Sequence, residues 1–521
     1  MRPILCAADG RSTSVVVIQL FDSLERKKVE LQTLQPGRVG IYSCGPTVYN
    51  FLHLGNARPL VAFDVVARHL RARGLVVHYV RNITDVDDKI IRRAAELAIP
   101  PSELVERFTA EFHTDCAAIR CLPPDAEPRV TASIDDIVAL VERLIAKGVA
   151  YAADGDVYFS VANFPTYGAL SHQPLDDLQA GARVELGEKK RAAMDFALWK
   201  AAKPGEPSWR SPWGPGRPGW HIECSAMAER HLGGTFDIHA GGVDLTFPHH
   251  ENERAQSQGA NGPGTFARYW MHNGFVNFNG GKISKSDEAA RVLFDRAFKL
   301  RLLCDRHSGE ALRAFLLTTQ YRNPINFEVV VDGEDVATAP LRFPGLEDAE
   351  RRLAYGYLTI ERLHDQLAVG KAAAPGPVVP EAEAWLAALQ SALDDDFNTA
   401  GAIAALGEAL SLANRILDGK LEAPKDVRRR TLERLQRDLA IAASSLGLYE
   451  QDPGEWLAAH RSRRCAARSI DTGWVDAQLS ARTAARQAKD FSRADAIRQE
   501  LAAAHVEIMD NPKGTTWRVL D

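Results

Sequence analysis

Arg38-Val-Gly-Ile-Tyr-Ser-Cys-Gly-Pro46, followed by His53-Leu-Gly-Asn-Ala-Arg-Pro59, is the stretch whose reading decides the fold. Arg38 to Cys44 reads as a strand, and Gly45-Pro46 turns the chain. Leu60 to Arg73 carries apolar side chains at short helical spacings, Gly74 stops it, and Leu75 to Val80 reads as a buried strand. Strand, turn, helix, strand is a βαβ unit, which predicts a nucleotide-binding parallel sheet. Gly55 and Asn56 then fall at a helix N-terminus, where free N–H groups and the helix dipole favour phosphate. Asn82-Ile-Thr-Asp-Val-Asp-Asp-Lys89 comes straight off the second strand. That makes Thr84 and Asp85 site candidates, while Asp87 and Asp88 suit caps of the next helix.

The sheet is expected to resume with a strand at Trp220 to Cys224, a second at Phe236 to His239 and a third from Trp270 to Phe278. Between the two halves, Ser133 to Lys147 is a clear amphipathic helix, Asp154-Gly155 a hairpin turn, and Lys203 to Gly219 a long Pro/Gly-rich loop. After the last strand comes Gly280-Gly-Lys-Ile-Ser-Lys-Ser286, a loop with two lysines. Residues 308 to 320 read as helical and 325 to 345 as irregular. Glu381 to Gln390, Thr399 to Leu417 and Val427 to Leu446 read as a helix bundle, Trp474 to His505 as two basic helices, and Val506 to Leu520 as a hairpin. The expected fold is α/β, a Rossmann-like parallel sheet with an inserted connecting segment, then a helical bundle and a small C-terminal α/β part. The expected divisions are 1–20 (extension), 21–110 and 216–290 (the two halves of the sheet domain), 111–215 (insertion), 291–345 (the region leading to the bundle), 346–455 (bundle) and 456–521 (C-terminal domain).

The 521 residues, 45% hydrophobic and 25% charged, are those of a multidomain enzyme rather than a disordered or fibrous chain. Seven scattered cysteines without a Cys-x-x-Cys pair argue for a reducing compartment and against a disulfide framework. No run approaches the roughly 18 apolar residues of a membrane span, so a cytoplasmic protein without membrane contact is expected. The net charge of −5 hides an asymmetry: from Arg461 to Arg498 nine Lys/Arg face four Asp/Glu, a local +5, which leaves −10 for the rest. A basic C-terminal part suggests contact with a polyanion, although two Arg-rich solvated helices would look the same.

The remaining motif is His239-Ala-Gly-Gly-Val-Asp-Leu-Thr-Phe-Pro-His-His-Glu-Asn-Glu-Arg-Ala-Gln256. In a helix begun at Pro248, His249 and Glu253 share a face, with His250 turned by about 100°. The pair can form half of a tetrahedral zinc site, or simply a solvated, hydrogen-bonded helix start. Soft ligands elsewhere in the chain would decide between the two.

His53-Leu-Gly-Asn56 after the first strand and Lys282-Ile-Ser-Lys-Ser286 after a late one together resemble the signature pair of class I aminoacyl-tRNA synthetases. Tyr42 to Tyr49, Pro218-Gly-Trp-His-Ile-Glu-Cys-Ser225, the Phe-Pro-His-His-Glu-Asn-Glu segment, Lys489 to Arg498 and Gly514-Thr-Thr-Trp-Arg518 narrow the resemblance to the cysteinyl-tRNA synthetases. That resemblance implies one zinc ion on Cys44, Cys224, His249 and Glu253. It also implies ATP with Mg²⁺ as a substrate, L-cysteine and tRNA(Cys) as partners, and a cysteinyl-adenylate intermediate. A monomer is expected.

By the same resemblance His53, Gly55, Asn56, Lys282, Ser284 and Lys285 bind ATP, with His53, Asn56, Lys282 and Lys285 in the catalytic role. Gly45, Thr47, Thr84, Trp220, His239 and Asp244 are expected around the cysteine and its adenylate. Zinc prefers thiolate, so it would reject serine where an apolar pocket offers only about 1–3 kcal/mol, and no editing domain is expected. The sequence departs from the family pattern in two places. Asn56 stands for the second signature histidine, and Asp287-Glu-Ala-Ala follows the lysine loop; the segments near 287–310 and 325–345 are longer than usual. A related ligase joining cysteine to an amino sugar is the alternative. A zinc hydrolase on His249, His250 and Glu253, and a non-catalytic tRNA-binding relative, are the readings from other classes.

Overall fold

Four parallel strands form the central sheet, in the spatial order Phe266–Asn273, Thr235–Gly242, Arg38–Ser43 and Val76–Arg81. The computed structural model describes residues 17–173, 189–279, 288–511 and 514–520. Lys282, Ser284 and Lys285 of the expected lysine loop lie outside them, as do Cys6 and most of the N-terminal extension. Arg38–Ser43 pairs Tyr42 with Val80 on one side and with His239 on the other, so three strand ends meet at one carboxyl edge. Parallel strands buried on both faces read as near-continuous apolar runs, and Val39, Ile41 and Tyr42 are buried, as are Phe236, Ile238 and Ala240.

The helix Leu54–Ala72 makes the crossover between Arg38–Ser43 and Val76–Arg81, and Gly74, at φ +85°, turns the chain back. Leu54, Leu60, Val61, Phe63, Val65 and Leu70 are all buried along it, at about 1.5–3 kcal/mol for each large side chain removed from water. The helix is therefore fixed between the sheet and the helical bundle, and its N-terminus cannot drift from the sheet edge.

The insertion contains its own four-stranded antiparallel sheet, Ala150–Ala153, Asp156–Phe159, Phe196–Ala201 and Gly216–Pro218. Asp154 and Gly155 both take positive φ in its first turn, as a tight two-residue hairpin demands. The helix Pro101–Ala118 runs on through residue 110. The bundle comprises Pro344–Ala368, Pro380–Asp394, Thr399–Leu417, Lys425–Leu446 and Pro453–Ala467. Among the described residues one helix, Thr399–Leu417, is long and apolar enough to cross a membrane, and it is packed inside this bundle. The C-terminal unit is two helices, Thr472–Gln487 and Phe491–Ala503, with the antiparallel strands Val506–Asn511 and Gly514–Val519 around Val475, Ile497 and Trp517.

Three local expectations change. Trp220 to Cys224 is not a strand but the first turns of the helix Trp220–Leu232. Its aromatic and β-branched residues favour a strand locally. Burial of Ile222 and Ala226, four apart on one face, holds it helical. Trp270 to Phe278 is broken at Gly274, and Val276–Phe278 joins a different pair, with Ile325–Phe327. A Cβ at Gly274 would lie 2.6 Å from the backbone of Arg322 and Asn323, so the break is a close crossing of two chains. The segment 325–345 is likewise more regular than expected, with Val330–Val331 antiparallel to Leu341–Arg342.

Candidate metal and nucleotide site

Cys44 follows the strand Arg38–Ser43 directly, and its N–H still pairs with the Ala240 carbonyl at 3.2 Å, which fixes its thiol at the sheet edge. Cys224 arrives from the helix Trp220–Leu232. His249 and Glu253 arrive on a third segment, the turn Thr246–His250 and the helix Glu251–Asn261. One ligand atom from each of these four residues lies within 4.8 Å of all the others. The thiol sulfurs are 3.7 Å apart, Cys44 Sγ is 3.5 Å from Glu253 Oε1, and His249 Nε2 is 3.0 Å from the same oxygen. Tetrahedral bonds of 2.0–2.3 Å would put ligand atoms roughly 3.3–3.8 Å apart, so the donor set fits a zinc ion.

The electrostatics point the same way. Burial pushes the Cys44 thiol well up, helped by hydrogen bonding and charge from Cys224 and by Glu253. At Cys224 the hydrogen bond with Cys44 pulls down, but burial and the Glu253 charge outweigh it. Burial, with His221 and His239 beside it, holds His249 far below the usual histidine range, so the ring is neutral and able to ligate. Two thiols that resist ionisation beside a buried carboxylate would be neutralised by a divalent cation, because coordination deprotonates a thiol.

Around this set runs a buried shell of hydrogen bonds. His221 Nδ1 is 2.9 Å from His249 Nδ1, so ligation through His249 Nε2 makes its Nδ1–H the donor and His221 the acceptor. Burial lowers His221 to about 3, which keeps it a neutral acceptor. His239 reaches the Tyr42 carbonyl through Nδ1 at 3.1 Å and Glu253 Oε2 through Nε2 at 2.9 Å. It thus orients a ligand from beneath rather than lining an open pocket. His250 faces Cys44 Sγ at 3.4 Å and passes the chain on to His272, which meets Ser23 Oγ at 2.8 Å. Cys44, His239, His250 and Glu253 form a second group of possible ligands. The first set is favoured because it uses both thiols, which a borderline-soft ion prefers.

Of the expected substrate residues, Trp220, Gly45, Thr47 and Thr84 lie beside this cluster or are tied to it through Asn82, whereas Asp244 lies near His53. Trp220 is 40% exposed and stacks on His249, with ring centroids 4.4 Å apart. Thr47 and Thr84 bridge in parallel beyond the strand ends, Thr84 N–H donating to the Pro46 carbonyl at 3.1 Å. A Cβ on Gly45 would fall 1.7 Å from the Asn82 carbonyl oxygen, so only glycine lets these segments touch. Asn82, to which the sequence reading gave no role, ties them together. Its Oδ1 accepts from Gly45 N–H at 2.8 Å and lies 3.7 Å from Cys224 Sγ, while its Nδ2 donates to Thr84 Oγ1 at 3.3 Å. Its place at the end of the second strand was the available signal. His221 and His272 had none, since their partners are remote in sequence. Asp85 instead accepts from the Thr131 N–H and hydroxyl, a structural link to the insertion.

His53, expected at the nucleotide, caps the helix Leu54–Ala72. Its Nδ1 accepts from Asn56 N–H at 3.3 Å, and Asn56 Oδ1 accepts from His53 N–H at 3.2 Å. Burial lowers His53 despite the charge of Asp244 nearby, so the ring is neutral, with its donor hydrogen on Nε2. The Leu54 N–H goes to the Phe298 carbonyl at 2.9 Å. Gly55 N–H, without such a partner among the described residues, is the first-turn donor open to an anion.

A family described as the tRNA synthetases class I (C) catalytic domain matches residues 30–331, a DALR domain matches 388–450, and a cysteinyl-tRNA ligase anticodon binding domain matches 472–518. The cysteine–tRNA ligase of Anaeromyxobacter sp. (strain K) is 50% identical over 507 residues, covering 96% of this chain and 99% of that one. That of Geobacter sulfurreducens is 44% identical over 504 residues, covering 97% and 100%. Among solved structures, Mycobacterium tuberculosis methionyl-tRNA synthetase in complex with methionyl-adenylate matches with TM-score 0.58 at 16% identity, over 80% of this chain and 92% of that one, a likeness of fold.

Proposed function

The chain belongs to the cysteine–tRNA ligases, a family of class I aminoacyl-tRNA synthetases, and from that premise we propose that it selects its amino acid by the sulfur. The observation that carries this reading is the convergence of Cys44, Cys224, His249 and Glu253 at the sheet edge. These four residues would hold a zinc ion, which when bound would supply a borderline-soft Lewis acid that favours a thiolate ligand over a hydroxyl or methyl group. Trp220, Gly45, Thr47, Thr84 and Asp244 enclose the rest of the cysteine and its adenylate, and His239 holds Glu253 in place.

In the first step the cysteine carboxylate attacks the α-phosphate of ATP, accompanied by Mg²⁺, and pyrophosphate leaves. The 3′-terminal ribose of tRNA(Cys) then attacks the adenylate carbonyl and AMP leaves. His53 Nε2–H and Gly55 N–H donate to phosphate oxygens at the helix N-terminus. Asn56, bound into the cap through Oδ1, retains its amide hydrogens as donors, although it never carries charge. Lys282, Ser284 and Lys285 complete the triphosphate clamp; the sequence motif supports their role, with Lys285 as the main transition-state contact. The basic C-terminal helices meet the tRNA, and the enzyme works as a cytoplasmic monomer. An amino-sugar acceptor would have no use for the anticodon-binding match at 472–518.

Cysteine-dependent exchange of pyrophosphate into ATP, with serine in parallel and Cys224→Ser alongside, tests this reading. Exchange with cysteine alone, lost in the variant, is expected; equal exchange with serine contradicts it.

A further inference from the structure

Of the two long segments without a role in the sequence, the first packs against His53 and meets the second through Arg296. Phe294 of the helix Glu288–Ala297 and Phe298, the residue just after it, lie against the His53 ring, at centroid distances of 5.9 and 5.6 Å. The Phe298 carbonyl takes the Leu54 N–H and Leu300 N–H donates to the Leu52 carbonyl, both at 2.9 Å, so this segment is stitched to the chain on either side of His53. A Cβ on Gly55 would come within 3.0 Å of the imidazole and 3.7 Å of Phe298, which leaves the ring little room to move.

The same helix carries Arg296, whose guanidinium donates to two backbone carbonyls, those of Val336 and, at 2.7 Å, Ala339. Both carbonyls belong to the turn of the hairpin Val330–Val331/Leu341–Arg342, and that turn is shaped before Arg296 reaches it. Asp335 accepts from Ala337 N–H at 2.9 Å and from Thr338 Oγ1 at 2.6 Å, and its carbonyl accepts from Ala339 N–H at 2.8 Å. The hairpin is rooted at both ends. Val329 exchanges hydrogen bonds with the Asn279 amide at 2.7 and 3.2 Å, and Phe343 stacks on Phe327 with centroids 5.6 Å apart as the bundle helix Pro344–Ala368 begins.

We propose that Arg296 is a positioning residue for adenylate formation: by tying the helix Glu288–Ala297 to the hairpin, it holds Phe294 and Phe298 against His53 and sets where the imidazole donor meets the nucleotide. The inference rests on the reading of His53 as an ATP contact. A planar fork bonding two carbonyls at once is a geometry that lysine cannot reproduce, so the conservative replacement should recover only part of the effect. The helix and the hairpin keep their own hydrogen bonds without Arg296. Arg296 bonds none of the residues of the sulfur site, so the loss should appear at the nucleotide and not there.

The test measures pyrophosphate exchange for Arg296→Ala, Arg296→Lys, His53→Ala and the double variant Arg296→Ala/His53→Ala, with KM for ATP and for cysteine taken separately. Expected are a KM for ATP about tenfold higher in Arg296→Ala, about threefold higher in Arg296→Lys, a KM for cysteine unchanged, and no further rise when Arg296→Ala is added to His53→Ala. If Arg296→Ala is too unstable to assay, Arg296→Lys carries the same comparison. Should His53→Ala raise KM for ATP while the Arg296 variants do not, the inference is overturned and the ATP reading survives. An unchanged KM for ATP in His53→Ala removes the ATP reading and the inference with it. Equal losses toward both substrates, or additive effects in the double variant, make Arg296 an ordinary stabilising residue and overturn the proposal.

Discussion

Replacing Asn82 by alanine should release the metal site without touching a metal ligand. The side chain is 1% exposed and joins the segment after Cys44 to Cys224 and Thr84. Truncation strands the half-buried Gly45 N–H, which costs about 1–3 kcal/mol, and leaves a small polar void worth about 1 kcal/mol more. A local loss of about 2–4 kcal/mol follows, and Cys44 shares it because it is peptide-bonded to Gly45. Removing a hydrogen-bonding neighbour of a metal ligand typically weakens binding about 10–100-fold, or about 1.4–2.7 kcal/mol, so the two estimates agree in size. The assay is zinc competition against a chromophoric chelator on wild type, Asn82→Ala and Asn82→Asp, the last retaining an acceptor for Gly45. Asn82→Ala should lose zinc affinity within that range, and Asn82→Asp should recover most of it. If Asn82→Ala unfolds more easily yet binds zinc as wild type does, the geometry at Cys44 does not depend on this link and the reasoning fails.

Two further outcomes follow from named groups. His272, buried among His239, His250 and Ser23, is lowered from 6.5 to about 3. The unfolded chain therefore takes its proton first, and this residue costs stability as pH falls from about 6.5 toward 3, by about 2 kcal/mol at pH 5. Urea titrations at pH 7 and 5 should show that increment in wild type and lose it in His272→Gln; an identical pH slope in both would count against it. In the C-terminal unit Arg482 grips Asp510 with two bonds of 2.9 and 2.8 Å, and this and the neighbouring Thr515 and Arg486 depress the carboxylate. Asp510 is nearly half exposed, so Asp510→Asn should cost less than about 1 kcal/mol. The variant should raise KM for tRNA while pyrophosphate exchange stays unchanged; a fall in exchange would show that the two ends of the molecule are coupled through this pair.

Much of the architecture was legible because it rests on local periodicity. The apolar spacing from Leu60, the stop at Gly74 and the amphipathic helix Ile134–Ala146 each declare themselves within one element. The four ligand candidates could be named by resemblance, but what joins them is topological. Three strand ends meet at one edge, and the helices carrying Cys224 and Glu253 pack beside it. Trp220 to Cys224 misleads because its aromatic and β-branched residues favour a strand while tertiary burial decides for a helix. Gly274 hides a break because the reason for it is a second chain segment pressed against it. Asn82 could be suspected from its place at the end of the second strand, but its bond to Cys224 could not; His221, His272 and Arg296 are invisible for the same cause, since each matters through a partner 22 or more positions away.

The central claim is that the substrate is held by its sulfur, and cobalt substitution reads this directly. Cobalt(II) in place of zinc reports each bound thiolate as charge-transfer absorption, with two expected from Cys44 and Cys224 in the resting enzyme. Addition of cysteine should raise that band by about one half, a third thiolate on the same ion, while serine and alanine leave it unchanged. A spectrum that does not respond to cysteine, from an enzyme that still activates cysteine and not serine, would contradict the account.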